Sequence, residues 1–374
     1  MKKIFILFFI SFVSFSNYVE KYANSDIENV VFSEAYAKYA SKSDNYVVVQ
    51  KSVYAKVKAL EKAKKIFKIP GNSKVELLAL CENNGKLWYE IKYKNKIGYI
   101  LKKSAIQRKF CFENGINEAK EITKFLEKFK DNLRVVDCYR PLNLQKNTKK
   151  DKFGNSGNQS IISYTSDKKQ IFNLQDRTIL ALVSSNEKDY NIIVDKYPKL
   201  LLSKKYAANL KKISLGEVRK FIYVDRKNQN QFVFEKDPKT NKYIILSAGF
   251  VTTGKNSKYG FETPYGNFLV AISKPVMTYT SDIDTTKIIG DAKRAIRFSG
   301  GAYIHGIPSL YEPKENRSSR IAYTQTKLGT YPLSHKCVRN HDEVMKKLYE
   351  WVGVSYINKN GHRTPKEPVI VIVR

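Results

Sequence analysis

Histidine, tryptophan, methionine and cysteine are all scarce in this 374-residue chain, at four, two, three and four copies. The four cysteines, Cys81, Cys111, Cys138 and Cys337, contain no CxxC spacing, which excludes the common thiolate zinc patterns. If one of them is a free nucleophile, at most one disulfide forms among the other three, so a disulfide framework is excluded as well. Acidic residues are also few: 35 Asp and Glu stand against 67 Lys and Arg, for a formal net charge of +32. Beyond the first residues no stretch is apolar for the roughly 20 positions that a membrane-spanning helix needs. What is plentiful is aromatic and apolar matter. Hydrophobic residues make up 42% and aromatics 13%, enough for a packed core and too much for wholesale disorder. The 25 Tyr and 20 Phe, with moderate Gly and Pro, lean towards β-structure.

The N-terminus reads as a targeting segment. Lys2 and Lys3 precede an apolar run over 4–15, and Ser14 and Ser16 supply small residues at a cleavage site, so residues 1–16 are expected to be a signal peptide. An uncleaved anchor is the other reading, for which the run is short. No cysteine follows it for a lipid anchor. Export to a periplasm, cell wall or exterior redirects the charge argument. Nucleic acid is the usual partner of so basic a chain, but outside the membrane the anionic surface is cell-wall carboxylate and phosphate or lipid head group. The excess is spread, with 26 Lys and Arg against 13 Asp and Glu over 219–374, and a merely solvated Lys-rich surface fits it too.

Residues 17–44 read as a linker. From Asn45, short apolar runs at 46–50, 75–80, 87–93 and 97–101 alternate with breaks at Pro70-Gly71 and Asn83-Asn84-Gly85, as in a small barrel. A helix is expected over 116–130, with Ile116, Ala119, Ile122, Leu126 and Phe129 on one stripe, and a polar loop from about 143 to 159. Then the chain repeats itself. Lys65-Ile66-Phe67 is echoed by Gln170-Ile171-Phe172, Leu77-Leu78-Ala79-Leu80 by Ile179-Leu180-Ala181-Leu182, and Tyr89-Glu90-Ile91 by Tyr190-Asn191-Ile192. The order is kept at an offset of about one hundred residues, which predicts a degenerate second barrel over 160–213, read as a spacer. From Arg219 the texture is again strand-like, at 221–224, 232–234, 243–248, 268–272 and 369–373. One helix is expected over 342–352, with Asn340 as its N-cap.

All four histidines, His305, His335, His341 and His362, lie in this last segment with Cys337. A thiol just ahead of a helix with imidazoles nearby is a place where thiolate is stabilised, and thiolate with a base and an oxyanion site performs acyl transfer. A buried structural thiol is the plainer reading of Cys337 alone.

The surrounding residues add a resemblance. Tyr303-Ile304-His305-Gly306-Ile307-Pro308, then Pro332-Leu333-Ser334-His335-Lys336-Cys337-Val338-Arg339, resemble the YkuD-like L,D-transpeptidase signature. Val251-Thr252-Thr253-Gly254 and Thr263-Pro264-Tyr265-Gly266-Asn267-Phe268 are similar to that family's upstream turn and strand. Residues 45–107, with Trp88-Tyr89 and Gly98-Tyr99-Ile100, resemble a bacterial Src-homology-3-like domain. The resemblances imply a mainly β chain: a sandwich- or barrel-like catalytic domain over 219–374 with one embedded helix, behind one or two small barrels. They imply Cys337 as nucleophile, His305 as base and the Gly306 carbonyl as partner of the imidazole. They further imply an oxyanion hole at the Lys336 and Cys337 amides, Ser334 and His335 as loop-shaping residues, and Arg339 and Tyr303 beside the substrate. The implied substrate is a peptidoglycan stem peptide, with no metal or organic cofactor, and carbapenems are expected to acylate Cys337. Two features depart from the pattern. Lys336 stands where the family has Gly, and either reshapes the hole, adds a cation or disables the site. The His305–Ser334 interval is long, and 308–330 reads as an inserted lid or a plain surface excursion.

Overall fold

A computed structural model describes residues 17–22, 29–34, 44–139, 159–258, 260–284 and 286–374. The expected signal segment and most of the 143–159 loop lie outside these residues. Among those described, no helix is long and apolar enough to cross a membrane.

The chain is mainly β and forms two compact units. The smaller holds 17–22 and 44–109. Its strands run in the sheet order Lys65–Ile69, Val53–Lys56, Lys96–Leu101, Lys86–Tyr93, Lys74–Asn83, Asn45–Val49, Ala105–Lys109. Part of the expected linker belongs here, because Asn17–Lys21 pairs antiparallel with Lys74–Asn83. Trp88 and Tyr89 face opposite ways on their strand, and both are buried. Trp88 packs on Ala59, Ala79 and Cys81, and Tyr89 joins the main apolar cluster. The pair is core rather than a surface platform.

The larger unit opens with Val31–Phe32, also from the expected linker, which pairs in parallel with Tyr243–Phe250 and forms the edge of its sheet. The helix runs Phe112–Lys128 and buries Phe112, Ala119, Ile122, Phe125 and Leu126. The echo in the sequence corresponds to an echo in topology. The second sheet runs Ile171–Gln175, Ser160–Thr165, Leu200–Ser203, Asp189–Ile193, Ile179–Ser185, Leu133–Val136, Leu210–Lys212, the same order as the first. This copy starts at Leu133 rather than 160, because its first strand precedes the polar loop. A one-strand run of four residues carries too little periodicity to be read alone.

The C-terminal part is a sandwich. One sheet orders Val31–Phe32, Tyr243–Phe250, Asn230–Lys236, Lys220–Asp225, Val369–Val373 and Gly266–Leu269. The other orders Val338–Arg339, Ala302–His305, Ile288–Ser299, Ile272–Thr280, Arg363–Thr364 and Tyr356–Ile357. Val224, Val233, Phe268, Phe298, Ile304 and Val371 fill the space between them, with Met345, Leu348 and Val352 of the helix Asp342–Val352. His341, not Asn340, occupies the N-cap position of that helix. The 308–330 segment carries a helix, Arg317–Lys327, none of whose residues is buried.

Nothing in the packing separates 160–213 from 219–374. One apolar cluster joins Phe112, Ile122 and Leu126 of the helix and Leu133, Val135 and Ile179 of the second barrel to Phe221, Phe232, Phe234 and Ile370 of the sandwich. Polar bonds add to it: Arg177 Nε donates to Leu269 O at 3.0 Å and Asn267 donates to Asp195 at 2.7 Å.

Candidate active site

Two short strands set the site. Ala302–His305 and Val338–Arg339 pair in parallel, with Ile304 beside Val338 and His305 beside Arg339. Ile304 and Val338 point into the sandwich core. Neighbours on a strand face opposite ways, so Tyr303, His305, Cys337 and Arg339 share the other face. There Cys337, with Tyr279, packs against Met277, Ala295 and Tyr303. Its Sγ lies 3.8 Å from Gly301 O.

The loop before Cys337 is fastened along its length. Lys255 N donates to Ser334 O at 2.8 Å and Phe261 N to His335 O at 2.6 Å. Thr263 Oγ1 accepts from Gly254 N at 2.8 Å and donates to Lys336 O at 2.9 Å, which is why a hydroxyl heads this turn. A Cβ on Gly254 would stand 2.2 Å from Phe261 O and 2.8 Å from the Lys336 Cα, so only glycine lets the strands close. Ser334 Oγ donates to Cys337 O and ties off the turn.

His305 is buried, and its Nδ1 lies 2.6 Å from Gly306 O. A proton on Nδ1 donates to that carbonyl and leaves Nε2 as an acceptor. The Tyr279 hydroxyl lies 3.2 Å from both ring nitrogens. Gly306 is required by its neighbour, since a Cβ there would stand 2.2 Å from Asp342 Oδ1, the acceptor of the Ile307 amide. Burial first, and Arg339 second, push the His305 pKa down to about 3, against the hydrogen bond to Gly306. Burial pushes the Cys337 thiol up, outweighing a backbone hydrogen bond at Tyr303 and the cations Arg339, Lys336 and Lys274. At neutral pH the pair is therefore a thiol and a neutral imidazole.

Arg339 Nε is buried and has no acceptor among the described residues. His335 leaves the group, as its ring pairs with Asp282 at 3.1 Å on the exposed side. Lys336 carries no left-handed backbone, so a side chain sits there without strain. That side chain is buried, and its ammonium donates to Gln159 Oε1 at 3.1 Å, Gln175 Oε1 at 3.1 Å and Gly300 O at 2.9 Å. Three neighbours escaped the sequence reading. Tyr279 lies against the imidazole, Lys274 lies over the Tyr303 ring at 4.9 Å, and Tyr139 stacks under Arg297 at 4.9 Å within the field of Cys337. No motif marks them: strand pairing delivers Tyr279 and Lys274, and the Tyr139 amide donates to Asp176 Oδ1 at 3.1 Å.

Residues 219–371 match the family model of the L,D-transpeptidase catalytic domain, YkuD. No curated protein matches the chain. Among solved structures, an L,D-transpeptidase from Mycobacterium smegmatis is similar at 11% identity, over 80% of this chain and 99% of that one, with a TM-score of 0.29. An L,D-transpeptidase from Stackebrandtia nassauensis is similar at 18% identity, over 43% and 58%, with a TM-score of 0.23. A fused Zn-dependent amidase/peptidase/peptidoglycan-binding protein from Clostridium acetobutylicum is similar at 17% identity and a TM-score of 0.26, over 42% of this chain and about half, 52%, of its own length.

Proposed function

We propose that the chain, whose residues 219–371 match the L,D-transpeptidase catalytic domain model, is exported and joins peptidoglycan stem peptides through a thioester on Cys337. One observation carries the reading: Tyr303, His305, Cys337 and Arg339 share one face of two paired strands, with His305 held as a neutral base.

The thiol attacks the carbonyl of the amide that joins the diamino acid of a tetrapeptide stem to D-alanine. The S–C bond forms as the thiol proton moves to His305 Nε2. The amides of Lys336 and Cys337 hold the oxyanion. The C–N bond breaks, D-alanine leaves with the proton from His305, and the thioester remains. An acceptor amine then attacks, gives its proton to His305, and the thiol is restored. Arg339, whose Nε lacks an acceptor among the described residues, clamps a substrate carboxylate.

Purified protein with defined tetrapeptide muropeptides tests this. The expected products are cross-linked dimer and free D-alanine, both absent with Cys337→Ala. Trimmed stems without dimer mean a hydrolase, and binding without turnover means a wall-binding protein; either result overturns the transpeptidase reading. A carbapenem is expected to add one covalent adduct to the wild type in intact-mass spectra and none to Cys337→Ala.

A further inference from the structure

The least expected residue of the nucleophile loop has the most specific environment. Lys336, directly before Cys337, sends its ammonium out of the loop to three acceptors, which match its three N–H groups. Two of them, Gln159 and Gln175, belong to the second barrel, 177 and 161 residues away in sequence. The third, Gly300 O, lies in the turn that also holds the thiol, since Cys337 Sγ is 3.8 Å from Gly301 O. The barrel grips that same turn elsewhere. Ser299 Oγ donates to Asp176 O at 2.9 Å, and Arg297 donates to the buried Asp176 carboxylate at 2.6 Å. The Asp176 amide in turn donates to Gln159 O at 2.8 Å. The same barrel segments thus hold the residue before the nucleophile and the turn beside it.

We propose that Lys336 is a positioning residue, a latch whose buried ammonium pins the nucleophile to the second barrel and makes that barrel part of the active site rather than a spacer. The inference rests on Cys337 being the nucleophile, but not on the acceptor it serves. A buried ammonium with its donors satisfied tolerates little movement, because any displacement strands a charge in a low-dielectric interior. The latch therefore fixes where the thiol stands. It also adds a cation beside it. The other groups facing Cys337 are Arg339 next along the loop strand, Lys274 and Tyr279 from Ile272–Thr280, Tyr303 and His305 from Ala302–His305, and Tyr139, stacked on Arg297, from the second barrel.

The test uses the full chain and follows iodoacetamide alkylation of Cys337 by peptide mapping across pH, alongside muropeptide turnover. Lys336→Met keeps the length of the side chain and removes the charge. Its alkylation midpoint is expected to rise by about one pH unit, so that alkylation below both midpoints slows roughly tenfold. A Gln159→Ala/Gln175→Ala double variant keeps the cation and removes two of its acceptors. Its kcat is expected to fall about tenfold or more with KM nearly unchanged, as misplacement of a reacting group requires. If Lys336→Met cannot be folded, the double variant decides by the same kcat-against-KM split. A lower melting temperature with unchanged alkylation profile and unchanged kcat means that Lys336 only supports the fold, and overturns the latch. A wild type that alkylates at Cys337 but never turns muropeptides over sinks the transpeptidase reading, and the alkylation shift in Lys336→Met then upholds or overturns the latch without it.

Discussion

Burial moves the two members of the proposed proton-transfer pair in opposite directions, and both shifts are readable in pH experiments. With the imidazole pKa near 3, His305 stays a neutral base through the mildly acidic range, so no limb near pH 6.5 is expected in the rate profile of the free enzyme. The rise is instead set by Cys337, whose raised pKa puts half-maximal alkylation above the usual thiol value of about 8.5. A limb near 6.5 that disappears in Cys337→Ala-controlled binding measurements is the contrary result. The same depression links pH to stability. The unfolded chain takes up the His305 proton below pH 6.5 and the folded one only near 3, so this stability is fully present above 6.5 and is lost as pH falls. At pH 4.5 the loss is ~3 kcal/mol. Thermal melts at pH 7 and 4.5 should therefore differ less for His305→Gln than for the wild type. Cys337 and His305 could be proposed from the sequence because each sits in a motif spelled in contiguous letters. The fate of Lys336 was not, since its acceptors lie more than 160 positions away, and Tyr279 and Lys274 carry no spelling at all.

The elements around the site divide into those that hold and those that cover. The turn headed by Thr263 holds. Thr263→Val keeps the shape but deletes both bonds that bridge Gly254 to Lys336, at a cost of about 1–3 kcal/mol. Denaturant titration should give that loss, with kcat falling more than KM rises. The helix Arg317–Lys327, which we propose covers the site, is lightly held: none of its residues is buried, and its ties include Lys327 O to Thr252 and Arg317 to Ser309 and Asp291. Replacing it with a short flexible turn is expected to leave the melting temperature nearly unchanged while moving the ratio of hydrolysis to transfer on muropeptides. An equal loss of stability would show that it is part of the fold. Among the described residues, about half of the strands and the helices Phe112–Lys128 and Asp342–Val352 announced themselves by apolar period; the helix Arg317–Lys327 did not. The hairpin of Ile272–Thr280 and Ile288–Ser299 did not. Pro275 interrupts the first strand, while Asp291, Lys293 and Arg294 give the second a loop-like composition. Arg294 also takes a left-handed backbone, at φ 54°, which breaks the alternation a reader relies on.

At the scale of the whole molecule, the matched family domain and the folding unit are different objects. The match covers 219–371, but the sandwich sheet is closed on one side by residues from outside it. Phe221, Tyr223, Phe232, Phe234, Leu269, Ile370 and Ile372 form one cluster with Phe112, Ile122, Phe125 and Leu126 of the helix and with Leu133, Val135 and Ile179 of the second barrel. A fragment 219–374 would expose that face. Full burial of a large apolar side chain contributes roughly 1.5–3 kcal/mol, and partial exposure of seven approaches the 5–15 kcal/mol that a domain has in all. The fragment is therefore expected to express insolubly or to melt without a cooperative transition, although it holds both Cys337 and His305. A fragment 110–374 keeps the helix, the barrel and the Lys336 latch; from the larger unit it loses the short edge pairing of Val31–Phe32, the buried Val30 and the contact of the Phe32 ring with Phe112. It is expected to unfold in one cooperative step and to retain alkylation of Cys337. Calorimetry and circular dichroism on the two fragments decide the matter. A soluble 219–374 fragment with a sharp transition, alkylated at the rate of the full chain, would make the barrel an accessory after all.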